Sequence, residues 1–240
     1  MIIELKDVHR TYGQGASSVQ ALRGITVGIE AGSMTAIVGP SGSGKSTLLN
    51  LLGALDKPSS GQVIVAGQSL GDLNDDARTR LRRDKIGFVF QFFNLLPTLN
   101  ATENVLLPAK LAGQSNKQLE QRAEELLTRV GLGHRLRHRP DQLSGGEMQR
   151  VAISRALIMD PPVLLADEPT GNLDSRTGRE VMDLLRGAVD SKRTVILVTH
   201  DPRMALIADQ VLTIRDGTLA GVERVQPRSA EEVFSGRSHG

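Results

Sequence analysis

Residues 39–46 read GPSGSGKS, a glycine-rich run that ends in a cation and a hydroxyl. An apolar run, 34–38, precedes it and a leucine-rich segment, 48–55, follows, so we expect a strand, a loop and a helix in that order. Glycines let backbone N–H groups turn inward round phosphate oxygens, Lys45 can place its charge on the β and γ oxygens, and the Ser46 hydroxyl can ligate Mg²⁺. The segment therefore predicts a phosphate-binding loop, with a flexible Gly-Ser turn as the alternative.

Two adjacent carboxylates, Asp167 and Glu168, follow the apolar run 163–166. In a parallel α/β sheet the C-terminal strand ends face the ligand crevice, which would bring this pair to the phosphate loop. Asp167 would then hold a Mg²⁺ shell while Glu168 polarises an attacking water. Taken alone, the pair fits a solvated strand end equally well.

A second pair of glycines lies in the segment 143–147, LSGGE. Ser144 and Glu147 have the spacing of a capping box, so we expect a helix to begin here. Capping does not require Gly145 or Gly146, and each costs about 1 kcal/mol relative to alanine inside a helix. Backbone N–H groups that no side chain covers, at the positive N-terminal end of a helix, can bind a phosphate. The segment therefore predicts a second phosphate contact.

The elements that must position these residues are predicted by their apolar patterns. Short apolar runs at 34–38, 163–166 and 195–198 are typical of strands buried on both faces of a parallel sheet. Apolar residues alternate with smaller or polar ones over residues 25–29, and an Asp-Gly turn lies at 216–217. Both patterns favour antiparallel strands near the two ends of the chain.

Between residues 94 and 160 the apolar period becomes helical. One helical face is formed by Leu119, Ala123, Leu126, Leu127 and Val130. Ser115 and Gln118 have the spacing of a capping box at its start, and Gly131 provides a stop. We therefore expect a mostly helical insert, at about residues 92–160, within an α/β core.

With these motifs, the chain resembles the ATP-binding subunits of ABC (ATP-binding cassette) transporters over nearly all of residues 2–222. The usual signature LSGGQ ends here in Glu147, as it does in related subfamilies. The resemblance implies nucleotide contacts from Tyr12, Gly39, Ser41, Gly42, Gly44, Lys45, Ser46, Thr47, Ser144, Gly145, Gly146 and Asp174; Mg²⁺ ligation by Ser46, Gln91 and Asp167; and catalytic roles for Lys45, Gln91, Glu168 and His200.

A narrower resemblance lies in two segments, 87–97 (GFVFQFFNLLP) and 166–174 (ADEPTGNLD). Both are similar to the LolD/MacB-type exporter subfamily and to its cell-division relative FtsE. The partners of those proteins are membrane subunits with a large extracytoplasmic region. Importer-type cassettes share shorter versions of both segments and are the alternative.

The resemblance implies a P-loop NTPase fold, with a RecA-like α/β core, an N-terminal antiparallel β subdomain and a helical signature subdomain. We expect one domain over residues 1–222 and a disordered polar tail over 223–240. ATP and Mg²⁺ are the implied cofactors. The chain has two segments that are predicted to bind phosphate, and a single nucleotide would need only one of them. This favours a head-to-tail homodimer around two ATP molecules. Integral membrane permease subunits of the FtsX/MacB type are the other implied partners, and would hold the subunit at the cytoplasmic face of the cell membrane.

The implied function is ATP hydrolysis that drives a permease, for export or extraction of a lipophilic substrate, lipoprotein or peptide. One alternative is an FtsE-like regulatory ATPase that moves a membrane partner without transport. A soluble ABC ATPase of DNA repair or translation is disfavoured by the chain length and the absence of cysteine. A generic P-loop kinase would leave the signature segment unexplained.

Composition narrows the class of protein further. Lys and Arg total 29 against 27 Asp and Glu in 240 residues, and the formal charge of +2 is too small for a protein whose main partner is nucleic acid. With no cysteine, the chain has neither disulfides nor Cys-ligated zinc. No run of 18 apolar residues and no apolar N-terminal core occur, so we expect neither a membrane span nor a secretory leader.

Four of the five phenylalanines lie within residues 88–93. On a strand, Phe88 and Phe90 share one face, and we expect them in the core. Beyond the strand, a groove for a cytoplasmic helix of the permease is expected to be lined by Phe92, Phe93, Leu95 and Leu96. The alternative is that these four residues cap the core of the helical insert.

Overall fold

The computed structural model of the chain describes residues 1–13 and 15–235. Its strands are β1 (Ile3–Tyr12), β2 (Val19–Ile29), β3 (Met34–Val38), β4 (Ser60–Val65), β5 (Gln68–Ser69), β6 (Ile86–Val89), β7 (Val163–Asp167), β8 (Thr194–Thr199), β9 (Gln210–Arg215) and β10 (Thr218–Arg224). Its helices are α1 (Lys45–Leu52), α2 (Asp75–Lys85), α3 (Ala101–Leu111), α4 (Lys117–Arg129), α5 (Gly145–Leu157), α6 (Ser175–Gly187) and α7 (Ala230–Ser235).

The larger sheet has six strands in the order β10-β9-β3-β8-β7-β6. Its neighbouring pairs are parallel except for the β9–β10 hairpin. Successive strand residues pack on opposite faces: Leu165 belongs to the cluster that contains the α1 leucines, and Leu164 to the cluster that contains α5 and α6. Burial on both faces explains the unbroken apolar runs, and the predicted parallel sheet is confirmed.

The parallel register brings three strand ends to one edge of this sheet. Val38 at the end of β3 pairs with Thr199 at the end of β8, and Asp167 at the end of β7 pairs with Val198. The residues that follow these strands therefore share one edge, which is where ligands bind in open α/β sheets.

The smaller sheet is antiparallel, with the order β2-β1-β4-β5. Alternate residues such as Ile25 and Ile29 are fully buried against the cluster that contains α1. The predicted turn between β9 and β10 also forms, with positive φ angles of 49° at Asp216 and 77° at Gly217. Such angles fit a short hairpin connection, and the predicted antiparallel elements at both ends are confirmed.

Helices α3, α4 and α5 pack round a separate apolar core. Ala123 and Leu127 of α4 are fully buried in it, in agreement with the predicted face. The predicted Ser115 cap is wrong. The N-cap is Asn116, whose side chain accepts a hydrogen bond from the N–H of Leu119, and since both residue types cap helices well, local sequence did not distinguish them.

The longest helices of the described residues, α4, α5 and α6, have 13 residues each. The described helices include none that is both long enough and apolar enough to cross a bilayer.

The prediction of a disordered tail from residue 223 is wrong for the part that the structure describes. Strand β10 continues to Arg224, and α7 buries Ala230 and Val233 in the cluster that contains α6. Phe234 packs against Gly178 of α6. Residues 236–240 of the predicted tail lie outside the described residues.

Candidate functional site

The phosphate loop joins β3 to α1, and its path depends on glycine. Gly39, Gly42 and Gly44 have φ angles of 154°, 77° and 106°. A Cβ on Gly39 would lie 2.1 Å from the carbonyl oxygen of Ile214, and one on Gly44 would lie 2.7 Å from that of Ala21. Only glycine fits such close approaches, so the loop is fixed between β2 and β9.

Lys45 begins α1, and its side chain turns back into the loop. Its buried Nζ donates hydrogen bonds to the carbonyl oxygens of Gly39, at 2.9 Å, and Pro40, at 2.8 Å. Ser46 and Thr47 follow in the first helical turn, where backbone N–H groups have no partner within the helix. The ammonium group and the helix N-terminus together create a positive potential at the loop.

A cavity of about 320 Å³ opens beside this positive end. Loop residues Gly42, Lys45 and Thr47 line it, together with Val19 and Ala21 of β2. Ser41 and Ser46 on the loop are themselves exposed. Of the predicted loop residues, those from Gly42 to Thr47 thus supply the lining of a space that an anionic ligand can enter, whereas Gly39 and Ser41 are not part of that lining.

Asp167 ends β7 at the same edge of the sheet. Burial and then the charge of Glu168 raise the pKa of the Asp167 carboxyl above its ordinary value, and the ammonium group of Lys45 opposes them. Three predicted site residues are thus electrostatically coupled, although Lys45 lies more than 120 residues before the two carboxylates in the sequence.

Glu168 and His200 are in direct contact. The backbone N–H of His200 donates to Oε1 of Glu168 at 2.8 Å, and the His200 Nδ1 atom lies 2.8 Å from the same oxygen. The Thr199 hydroxyl donates to Oε2 at 3.3 Å. Glu168 has a φ of 45°, which is uncommon for a residue with a side chain. Both carboxylate oxygens are therefore held in place by the end of β8.

Gln91 follows β6 and meets the segment after Glu168. Its backbone carbonyl accepts a hydrogen bond from the Asn172 side chain at 3.1 Å, and a Cβ on Gly171 would lie 2.8 Å from Gln91 Nε2. Gly171 therefore lets the two segments approach closely.

Asp174 caps α6. Its Oδ1 accepts backbone hydrogen bonds from Arg176 and Thr177, and its Oδ2 accepts one from the Thr177 hydroxyl at 2.6 Å. The hydroxyl bond is the main reason that the pKa of Asp174 is lowered. These contacts fully account for the position of its carboxylate, and a nucleotide contact from Asp174 stays a prediction.

The signature segment forms the predicted capping box. Ser144 Oγ accepts from the N–H of Glu147 at 3.3 Å, and Glu147 Oε2 accepts from the N–H of Ser144 at 2.8 Å. The backbone N–H of Ser144 is the chief cause of a lowered pKa at Glu147. A Cβ on Gly146 would lie 2.1 Å from the Thr177 side chain. Packing against α6 thus requires one of the two glycines, a reason that the sequence argument omitted.

The phosphate loop and the signature segment belong to different surroundings. The loop contacts Ala21 and Ile214, whereas Gly145 and Gly146 lie against Leu173 and Thr177. A single chain therefore has two separate glycine-containing segments at helix N-termini, the phosphate loop before α1 and the signature segment at the start of α5.

Tyr12 ends β1, and 38% of its surface is exposed. Its hydroxyl donates to Oδ2 of Asp56 at 2.8 Å, and the Arg10 guanidinium lies 4.4 Å from the ring centroid. Sequence reasoning missed Arg10 and Asp56. The one local signal was that Arg10, two residues before Tyr12 on a strand, shares its face.

An apolar groove of about 530 Å³ lies between the large sheet and the helical core. It is lined by Phe88, Phe90, Leu107, Leu111 and Met159, among others. The Phe88 and Phe90 rings stack with centroids 5.5 Å apart. Phe88 and Phe90 share a face as predicted, and Phe88 packs against the main core as expected, while both rings also border the groove.

The lining of this groove does not include the four residues predicted to receive a permease helix, Phe92, Phe93, Leu95 and Leu96. Phe92 is 72% exposed, Phe93 lies 3.7 Å from the Cβ position of Gly145, and Leu95 packs on the helical core. The chain turns at Phe93 and Asn94, which have positive φ angles, and contact of these four residues with a permease helix stays a prediction.

The sequence of the chain is similar to those of known proteins. A family model described as ABC transporter matches residues 22–171. An uncharacterised ABC transporter ATP-binding protein of Thermotoga maritima is 50% identical over 223 residues, which cover 93% of this chain and 95% of that protein. The macrolide export ATP-binding/permease protein MacB of Hyphomonas neptunium is 48% identical over 97% of this chain, which spans only 36% of that relative.

Among solved structures, the ATP-binding cassette MJ0796, in a dimeric post-hydrolysis state bound to ADP and Pi, is 44% identical. It has a TM-score of 0.84, over 94% of this chain and all of that one. The predicted P-loop NTPase architecture and the MacB-type resemblance are confirmed. By sequence match and by fold, the chain belongs to the ABC transporter family, as one of its ATP-binding cassettes.

Proposed function

We propose that the chain binds and hydrolyses ATP as the ATP-binding subunit of an ABC transporter. The proposal rests on one observation, the meeting of Lys45, Asp167, Glu168 and His200 at one edge of the parallel sheet. The group combines a cation for phosphate oxygens with a carboxylate for a metal and a carboxylate–imidazole pair for proton transfer. The ADP and Pi bound to the similar cassette MJ0796 support the proposal.

The phosphate chain would bind at the loop. Lys45 would face the β and γ oxygens, and backbone N–H groups from Ser41 to Thr47 would donate to them. Gly39, Gly42 and Gly44 would allow the curved backbone path, free of side chains, that brings these N–H groups to the phosphate oxygens. Tyr12 would stack on the adenine base.

Ser46, Gln91 and Asp167 fit a bound Mg²⁺. They offer hydroxyl, amide and carboxylate oxygens, the hard donors that this ion takes. The raised pKa of Asp167 marks a desolvated carboxylate beside a second one, where a divalent cation is favourable. When bound there, Mg²⁺ would neutralise charge on the β and γ phosphates.

Glu168 would take the proton from the attacking water. The Thr199 hydroxyl and the backbone N–H of His200 fix its two oxygens, so the carboxylate faces one direction before the water arrives. The His200 ring, in contact with Glu168 Oε1, would orient this base and meet the γ-phosphate. His200 is thus a positioning residue for Glu168 and a phosphate contact.

Two copies would close head to tail around two ATP molecules. Ser144, Gly145 and Gly146 of one copy would meet the γ-phosphate held by Lys45 of the other, because the two regions are separate within one chain. Asp174 would hold the adjoining loop at this interface. The dimeric state of MJ0796 supports the arrangement.

The ATPase cycle would drive a membrane permease. MacB relatives are named macrolide export ATP-binding/permease proteins, which supports export of a lipophilic substrate; a lipoprotein or peptide cargo is implied by the subfamily resemblance alone. The subunit would sit at the cytoplasmic face of the cell membrane, held there by the permease.

Metal removal tests the assigned chemistry. The purified chain is expected to release phosphate from ATP in the presence of Mg²⁺, and EDTA should lower the rate by more than about tenfold. Excess Mg²⁺ added afterwards should restore it, which separates metal removal from damage to the protein. Full turnover in EDTA would refute the Mg²⁺ assignment, and the absence of both ATP binding and turnover would refute the proposed function.

We also propose that the apolar groove receives a cytoplasmic helix of the permease. Leu111 at its margin is 79% exposed, and Leu107 and Met159 continue the apolar lining. Arg82, Arg83 and Arg155 also border it, so an amphipathic helix with acidic flanks would complement the groove in both polarity and charge.

Leu111→Glu is expected to release the chain from membranes of the producing cells. It puts a charge into an apolar contact, where losing an anchor costs about 2 kcal/mol or more of association, and the exposed position predicts little change in melting temperature. Val222→Glu is the matched control, an exposed apolar residue on β10 at the opposite edge of the sheet. Equal membrane binding by both variants and the wild type, measured by sedimentation, would exclude the groove.

A further inference from the structure

Tyr12 is held by two side chains that the family resemblance did not include. Oδ2 of Asp56 accepts hydrogen bonds from Tyr12 OH and from Arg10 Nε, each at 2.8 Å. The same guanidinium lies over the Tyr12 ring at 4.4 Å. One carboxylate thus fixes both the hydroxyl end of the ring and the cation that covers one ring face.

Asp56 is itself tied to the helix that begins at the phosphate loop. Its backbone N–H donates to the carbonyl oxygen of Asn50 in α1, and its Oδ1 accepts from the N–H of Lys57 at 2.7 Å. The N-terminal end of α1 carries Lys45. Asp56 thus ties the Tyr12 ring to the C-terminal half of the helix whose first residue is Lys45.

Tyr12 is the strand neighbour of a residue that lines the cavity beside the loop. Tyr12 pairs with Val19 across β1 and β2, and Val19, which is 62% exposed, lines that cavity. A flat base placed there would meet an aromatic ring and an aliphatic side chain. Stacking of this kind tolerates any purine, because it uses the π face rather than hydrogen bonds to base edges.

We propose that Arg10 and Asp56 are positioning residues that hold Tyr12 as a one-sided stacking platform for the nucleobase. The proposal rests on ATP binding at the phosphate loop. Arg10 blocks one face by a cation–π contact, and Asp56 fixes the ring at a set distance from Lys45. Base affinity then depends on three residues outside the phosphate loop.

Tyrosine fluorescence measures directly whether a base stacks on Tyr12. Tyr12 is the single tyrosine of a chain without tryptophan, so the tyrosine emission of the protein comes from this ring alone. ATP is expected to change the emission, with absorbance by the base corrected against free tyrosine. Inorganic tripolyphosphate, which can occupy the loop but carries no base, should leave the emission unchanged.

Variants separate positioning from folding. Asp56→Ala and Arg10→Gln are expected to weaken ATP binding about tenfold, within the range of a lost base stack. KM should rise while kcat at saturating ATP is retained, and tripolyphosphate binding should be unchanged. Tyr12→Phe keeps the ring and the Arg10–Asp56 ion pair but removes the hydroxyl bond, so a smaller loss of ATP affinity is expected. This variant tests the proposal even if Asp56→Ala folds poorly. Arg224→Gln, which breaks a surface ion pair with Glu30, is the matched control.

The outcomes distinguish this proposal from the proposed function. ATP binding with unchanged Tyr12 emission, or wild-type ATP affinity in Arg10→Gln and Tyr12→Phe, would overturn the platform and leave the ATPase assignment intact. A parallel loss of tripolyphosphate affinity would show a general structural role instead. Failure of both ATP and tripolyphosphate to bind the wild type would overturn the phosphate site as well.

Discussion

Lys45→Ala is expected to abolish measurable ATP turnover, with a loss of about 100-fold or more, and to weaken nucleotide binding. The substitution removes the cation nearest the phosphates, and one preorganised group aimed at developing charge contributes about that factor. Hydrolysis and ATP binding, measured on the same preparation, test both parts of the expectation.

Stability must be measured beside activity, because Lys45 Nζ also bonds the carbonyl oxygens of Gly39 and Pro40. Lys57→Ala is a suitable control, since Lys57 Nζ also donates to a backbone carbonyl, that of Leu73, but stands outside the loop. Wild-type turnover in Lys45→Ala would refute the phosphate loop. A similar loss in both variants would show a folding defect instead.

Glu168→Gln is expected to lower hydrolysis by about 10²- to 10⁴-fold while ATP binding is retained. Glutamine keeps the size of the side chain and can still accept from the N–H of His200, but it cannot take a proton from water. Single-turnover hydrolysis with bound ATP separates this chemical step from binding.

Glu4→Gln, which alters a partly exposed carboxylate paired with Lys6, should leave the rate unchanged. Retained turnover in Glu168→Gln would mean that another group accepts the proton. Loss of ATP binding together with turnover would assign Glu168 to binding rather than to proton transfer.

The parallel sheet and the phosphate loop could be predicted because their signals are local. A buried strand is an unbroken apolar run, and residues 39–46 carry their own backbone requirement in their glycines. The end of β7 and the end of β8 meet only through sheet register, yet the position of Asp167 after an apolar run was enough to predict the edge on which it lies.

Features that depend on tertiary contact could not be read in the same way. The segment after 223 is polar in composition, and α7 is ordered by apolar side chains that fit against α6. The Asp56 contact to Arg10 spans 46 residues. The groove joins Phe88, Leu111 and Met159 from three separate stretches of the chain, so no sequence window contains it.

Closure of two copies around ATP is measured most directly by light scattering on Glu168→Gln with and without Mg-ATP. A monomer that becomes a dimer only with ATP is expected, because hydrolysis is blocked while the γ-phosphate still joins Lys45 of one copy to Ser144 of the other. Adding Ser144→Arg, which puts a bulky cation on the signature surface, should prevent the dimer and retain ATP binding. A Glu168→Gln protein that binds ATP but stays monomeric at every concentration would contradict the two-copy site.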